Sequence, residues 1–228
     1  MKKILGTLVI VGAVGVAAYL YITAPVSVPT TDVQTVTGTL NPLSDKTTVY
    51  RISKEGSLAT YEIDETLSGK PKHVVGTTTQ IAGDVAFTGP QIDFGEIKID
   101  ARTFVTDSEK RDNALNRFIL NTGKEGNEYI IFKPISTDYS GSATETGEMA
   151  MNVKGDLIIS GVTQLAEFSV TMKFEGDKLV GTAKTTIKRS DYGIKIPELD
   201  FLANVSDNVT LTVKVTADKV TGAMTTTQ

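Results

Sequence analysis

The sequence predicts an all-β domain, an antiparallel barrel or sandwich with one short helix, preceded by an N-terminal transmembrane helix. Three observations carry this. From Thr47 onward apolar and polar residues alternate with period two, the mark of strands with one buried face. Short Gly-containing connections separate the alternating runs. An uncharged apolar run from Ile4 to Ile22 opens the chain, close to the ~20 helical residues that cross a ~30 Å hydrocarbon core.

Taken in order, residues 1–24 form the signal-anchor segment. Lys2 and Lys3 lie before the run, Tyr19 and Tyr21 at its far end, and no positive charge follows until Lys46. That asymmetry puts the N-terminus in the cytoplasm and everything after it outside. A cleaved signal is the competing reading, but the run is long for one and Ala24 is followed by Pro25. Both readings give the same extracytoplasmic compartment. Residues 25–46, with Pro25, Pro29 and Pro42, read as a semi-extended Pro/Thr-rich linker. The β domain is expected over 47–220, with a tail at 221–228.

Within the domain, Ile97 and Ile99 face one way while Glu96, Lys98 and Asp100 face the other. Ala166, Phe168, Val170, Met172 and Phe174 form a second inward phase. Leu179, Gly181, Ala183, Thr185 and Ile187 form a third, and Val209, Leu211, Val213 and Val215 a fourth. Glu175-Gly176-Asp177 supplies a hairpin turn. Asp107-Ser108 followed by Glu109 to Leu120 reads as an N-capped amphipathic helix, with Leu115, Phe118 and Ile119 on one face. This helix is expected across an opening or flank of the sheet.

Composition narrows the chemistry. A net charge of −4 with no basic run gives no footprint for nucleic acid. The absence of cysteine removes disulfides, thiolate metal sites and Cys nucleophiles. His73 is the sole histidine, so neither an ordinary zinc site nor a Ser–His hydrolase can be assembled, and it reads as a surface residue. The 27 carboxylates fall mostly on polar strand phases, where solvated faces are expected. The expectation is a protein that is not an enzyme and needs no cofactor.

Two polar clusters stand close to apolar sequence: Arg111-Asp112, and Arg189-Ser190-Asp191-Tyr192-Gly193. They either hold the helix and a bent strand end together or recognise a polar headgroup at a pocket mouth. The inward phases mix Phe168, Met172 and Phe174 with Gly181 and Ala183. Small inward residues leave volume, yet the phase fits a filled core as well as a tunnel.

The order of features resembles the YceI-like family of lipocalin-like, polyisoprenoid-binding proteins. The carrying residues are Val75-Gly76-Thr77-Thr78 with Gly83, then Gly95-Glu96-Ile97-Lys98-Ile99-Asp100-Ala101-Arg102-Thr103-Phe104. Asp107-Ser108, Arg111-Asp112-Asn113, Gly155-Asp156-Leu157 and Gly161-Val162-Thr163 follow. Arg189-Ser190-Asp191-Tyr192-Gly193-Ile194 and Val205-Ser206-Asp207 with Val209 complete the set. The resemblance spans about Leu58 to Ala217. It implies an extended eight-stranded antiparallel lipocalin-like β-barrel around a tunnel for an isoprenoid quinone or polyprenyl lipid, and members that form homodimers. Two departures stand out: His73 falls in a variable stretch and does not take the role of the family's early histidine, and the anchor replaces a cleaved signal.

Ligand-lining residues are then expected at Ile97, Ile99, Phe118, Phe168, Val170, Met172, Gly181, Ala183 and Ile187, with Arg111, Arg189 and Tyr192 at the mouth. Filling the interior through Ala183→Phe is expected to block lipid uptake. The alternative is a membrane-tethered structural or interaction β-domain with a filled core; a third reading is a hydrolase using paired carboxylates.

Overall fold

The computed structural model describes residues 32–36, 40, 47–139, 147–196 and 202–220. The strands are β1 (Thr47–Leu67), β2 (Lys70–Thr78), β3 (Ile81–Ala82), β4 (Asp84–Thr88), β5 (Gln91–Phe94) and β6 (Ile97–Asp100). They continue as β7 (Tyr129–Thr137), β8 (Met149–Ile159), β9 (Val162–Glu175), β10 (Lys178–Lys188), β11 (Leu202–Ala203) and β12 (Asn208–Lys219). All belong to one antiparallel sheet, whose main path runs β3-β6-β7-β8-β9-β10-β12-β1-β4-β5. The all-β antiparallel class is as expected, but the described residues form twelve strands, not eight. The difference arises where long runs break: 70–88 divides at Thr79-Gln80 and at Gly83, and 91–100 divides at Gly95-Glu96. At Thr79-Gln80 the backbone turns to a local partner, Gln80 N–H donating to Thr78 Oγ1, while Gly83 and Gly95 each extend a ladder by one bond, Gly83 O accepting from Ile52 N–H and Gly95 N–H donating to Asp84 O.

The sheet curls. β1 holds β12 on one edge and both β2 and β4 on the other, while β3, between β2 and β4 in the chain, pairs with β6 at the opposite end of the path. Curvature is helped by a bulge in β1 between Ser53 and Leu58. There Gly56 adopts φ +82, Ser57 Oγ donates to Thr216 O, and Thr216 N–H donates back to Ser57 Oγ. The predicted phases hold along β9, β10 and β12: Phe168, Met172, Leu179 and Ala217 are buried, and Val170, Ala183, Ile187, Leu211, Val213 and Val215 pack against them.

One helix interrupts the strands. Helix α1 (Glu109–Ala114) continues into a π-helical turn (Leu115–Ile119), closed by Leu120 N–H to Leu115 O at 2.8 Å. The expected side-chain N-cap at Ser108 is absent. Asp112 instead ties the helix to the segment before it, its Oδ1 accepting from the backbone N–H and the hydroxyl of Thr106. Below the π turn, Thr122, Asn116 and Asn127 form a buried polar patch, and Ser160 Oγ donates to Leu120 O. The helix end is therefore pinned to the sheet by hydrogen bonds.

The segment read as a spacer is partly docked. Residues Val33–Val36 form a 3-10 turn with Val33 fully buried. The Gln34 amide donates to the carbonyls of Ile52 and Ile81 at 2.9 Å, and Leu40 N–H donates to Asp84 Oδ2. Among the described residues no helix is long and apolar enough to cross a membrane. The 1–24 anchor and the 221–228 tail lie outside the described residues.

Candidate functional site

The inside of the curled sheet is not solid. Among the described residues its inner face lines two cavities. The larger, about 750 Å³, opens beside α1. It is walled by Tyr61, Ile63, Glu65, Leu67 and Val74, by Ser108, Lys110, Arg111, Ala114, Leu115, Phe118 and Ile119 of the helical segment, and by Ile187, Arg189, Val205 and Val209. The smaller, about 120 Å³, lies deeper and is lined by Ile52, Ala59, Val85, Ile97, Ile99, Val153, Leu157, Phe168, Val170, Met172, Leu179, Gly181, Ala183, Val213 and Val215, among others. Phe104, Ile130 and Leu211 line both. The larger volume falls in the range of ~300–1,000 Å³ usual for small-molecule sites.

Strand periodicity builds this space. Leu179, Gly181, Ala183 and Ile187 on β10 share the inward phase, and Val209 to Val215 on β12 do the same across the ladder (Ala183↔Val213, Ile187↔Val209). At a rise of ~3.3 Å per residue, the eight steps from Leu179 to Ile187 cover about 26 Å of wall. Gly181 keeps this wall thin: a Cβ there would lie 3.2 Å from Met172 Cβ and from Thr171 O. The inner end is closed by three rings. Tyr50, Phe87 and Phe174 meet with centroids 5.2–5.7 Å apart, each two residues beyond a small-chamber residue on its own strand (Ile52, Val85, Met172).

The outer end is polar at one place. Arg111 Nη2 donates to Glu65 Oε1 at 2.9 Å and its Nη1 donates to Asp107 Oδ1 at 2.6 Å, while Lys72 pairs with the other Asp107 oxygen. The Glu65 side chain is only 8% exposed, so the pair faces apolar space rather than water. Burial opposes the Arg111 charge, but the hydrogen bonds to Glu65 and Asp107 outweigh it and raise its pKa above the ordinary value. The hydrogen bond from Lys72, joined by that from Arg111, holds Asp107 below the usual carboxylate range. Tyr61, whose ring meets Phe104 edge-on at 5.4 Å, has its phenol pushed up to about 12 by burial and then by the negative charge of Asp112.

The structure places the predicted residues as follows. Ile97, Ile99, Phe168, Val170, Met172, Gly181 and Ala183 surround the small chamber, and Phe118, Ile187, Arg111 and Arg189 border the large one. Phe118 is 48% exposed at its rim. Tyr192 is a correction: it lines neither cavity. The 3-10 turn Arg189–Tyr192, ended by Gly193 at φ +67, folds its ring into the core at 3% exposure. Arg189 acts as a clamp, donating from Nε to Ser206 O, from Nη1 to Ile194 O and from Nη2 to Val205 O. Ser190 supports the same corner through Asp207. His73 is on the surface with Asp64 at 2.7 Å. Among the described residues no group of three or more His, Asp or Glu could hold a metal ion.

Several wall residues escaped sequence reasoning, above all Tyr61, Ile63, Glu65 and Leu67. The signal was present: they continue one inward phase on β1, and Glu65 sits in register with three apolar neighbours.

Comparison with known proteins agrees with this architecture. UPF0312 proteins of Pseudomonas fluorescens (strain SBW25) and Pseudomonas putida (strain W619) are each 27% identical over 157 residues, 65% of this chain and 77% of theirs. Among solved structures, Burkholderia cenocepacia BcnA superposes with a TM-score of 0.55 at 14% identity, covering 73% of this chain and 99% of its own. A polyisoprenoid binding domain from Saccharophagus degradans, implicated in plant cell wall breakdown, gives 0.57 at 11%, covering 75% and 98%. The model of the YceI-like domain matches residues 50–217, from Tyr50, one of the rings that close the inner chamber, to Ala217 within β12, and on that match the chain belongs to the YceI-like family.

Proposed function

We propose that this protein binds an apolar isoprenoid-type lipid, a quinone or polyprenyl lipid, with the tail in the two chambers and the head beside Arg111. The observation that carries the reading is the apolar space behind α1, about 750 Å³ in its outer part. An unfilled interior of that size forgoes dispersion contacts that a packed core would make, which counts against a display domain with a filled core. An isoprenoid tail restores those contacts and gains about 25 cal/mol for each Å² of apolar surface taken from water. A neighbour in fold described as a polyisoprenoid binding domain supports the same class of ligand.

In this reading Ile97, Ile99, Phe168, Val170, Met172, Gly181 and Ala183 hold the far part of the tail. Phe118 and Ile187 hold the near part, and Arg189 shapes the entrance without contacting the head. The remaining Arg111 N–H groups donate to a headgroup oxygen. The apolar N-terminal run keeps the domain at the outer face of a membrane, beside the source of its ligand.

The test is purification under mild conditions, organic extraction and mass spectrometry of the extract. The expected result is near-stoichiometric prenyl lipid. Repeated extracts without lipid, together with no uptake of added geranylgeraniol or solanesol, would overturn the proposal.

A further inference from the structure

We propose that the small inner chamber is a subsite for the last isoprene unit of the tail, and that it sets the length of tail the protein prefers. The inference rests on the lipid-binding reading and adds to it a length specificity.

Three features of the cavity system carry it. The chamber has a floor: Tyr50, Phe87 and Phe174 form the layer beyond Ile52, Val85 and Met172, so a tail entering from α1 cannot pass through. It also adjoins the large cavity, because Phe104, Ile130 and Leu211 line both. Finally, its volume suits one unit. Dry apolar cavities of ~150 Å³ take up benzene, a six-carbon guest; at about 120 Å³ this chamber matches a single five-carbon unit.

The distance from floor to mouth gives the preferred length. The wall from Leu179 to Ile187 is about 26 Å long at ~3.3 Å per residue. Each isoprene unit adds four main-chain carbons, and with C–C bonds of ~1.5 Å an extended unit advances about 5 Å. About five units therefore reach from the mouth to the floor. Each unit up to that number gains wall contact. Further units gain none, since they remain outside the mouth.

The experiment is competition native mass spectrometry of the full chain in detergent, with all-trans prenyl alcohols of two to nine units. Wild type is expected to bind more tightly with each added unit up to about five, then to level off. Ala183→Phe fills the chamber from its β10 wall and should move the plateau about one unit shorter. Alcohols of five or more units should then bind at least tenfold more weakly, and the loss should shrink as the alcohol shortens. Ala183→Leu, a smaller intrusion, gives the same shift in weaker form should the Phe variant fail to fold. A wild-type profile without a plateau overturns the proposal, as does a plateau unmoved in a folded variant. Failure to bind any prenyl alcohol refutes instead the lipid-binding reading beneath it.

Discussion

Gly76→Ala offers a sharp test of how the outer cavity is built. Gly76 lies opposite Tyr61 in the β1–β2 ladder, and the Tyr61 ring is laid over it. A Cβ at Gly76 would fall 2.1 Å from Tyr61 Cε1 and 2.4 Å from Cζ, where carbon pairs rest at ~3.5–4.0 Å. The ring must therefore retreat by about 1.5 Å. Phe104 restricts it on one side at 5.4 Å between centroids, and the open direction is the large cavity that Tyr61 already borders. Overpacking in a tight core costs ~1–3 kcal/mol, while Gly→Ala in ordinary backbone stabilises by ~0.4–1 kcal/mol. The net expectation is a loss of about 0.5–2 kcal/mol in urea unfolding, with weaker uptake of geranylgeraniol because the ring now stands in its place. In a Tyr61→Leu background the same substitution should become neutral or stabilising, which isolates the contact. Unchanged uptake and unchanged stability in Gly76→Ala would refute the reasoning.

Two further tests concern the scaffold. Asp84, its side chain 2% exposed, accepts from Arg51 Nε at 2.9 Å, from Arg51 Nη2 at 3.0 Å and from Leu40 N–H. Arg51→Ala strands a buried carboxylate and should cost about 3 kcal/mol or more; Asp84→Asn leaves a half-exposed guanidinium that water can reach and should cost less, an order that urea midpoints will check. The Ser190 hydroxyl and then its N–H hold Asp207 below its ordinary 3.8. A depressed folded pKa contributes stability above 3.8 that fades as pH falls below it, so the gap between wild type and Ser190→Ala should be present at neutral pH and shrink under acid.

Much of this fold is legible in the sequence, for a definite reason. β9, β10 and β12 are long, regular and polar on their outer face, so a period of two fixes which residues point inward. The helix was legible too, since Leu115, Phe118 and Ile119 share a face at helical spacing. The segment from Lys70 to Phe94 resists the same treatment. Its strands break at Thr79-Gln80 and Gly83, and β4 is buried on both faces, which removes the alternation. Glu65 shares the inward phase of Tyr61, Ile63 and Leu67, but nothing local reveals that Arg111, 46 residues away, reaches it. Tyr192 is assigned to the mouth with the polar cluster Arg189–Gly193, but the 3-10 turn that carries this cluster folds its ring into the core, which the order of residues alone does not reveal.

The irregularity in β1 bears on how the length of this chain can change. Ser53 faces Thr216 and Leu58 faces Lys214, so five steps on one strand match two on the other, an excess of three. Three is odd, and this reverses parity: Tyr50 and Ile52 are interior before the bulge, Ala59 and Tyr61 after it. Losing or gaining two residues between Lys54 and Ser57 keeps both halves correctly oriented. Losing or gaining one would swing the Tyr50 ring to the solvent side and take away the floor of the inner chamber. Homologous chains should therefore differ in this stretch by even numbers of residues.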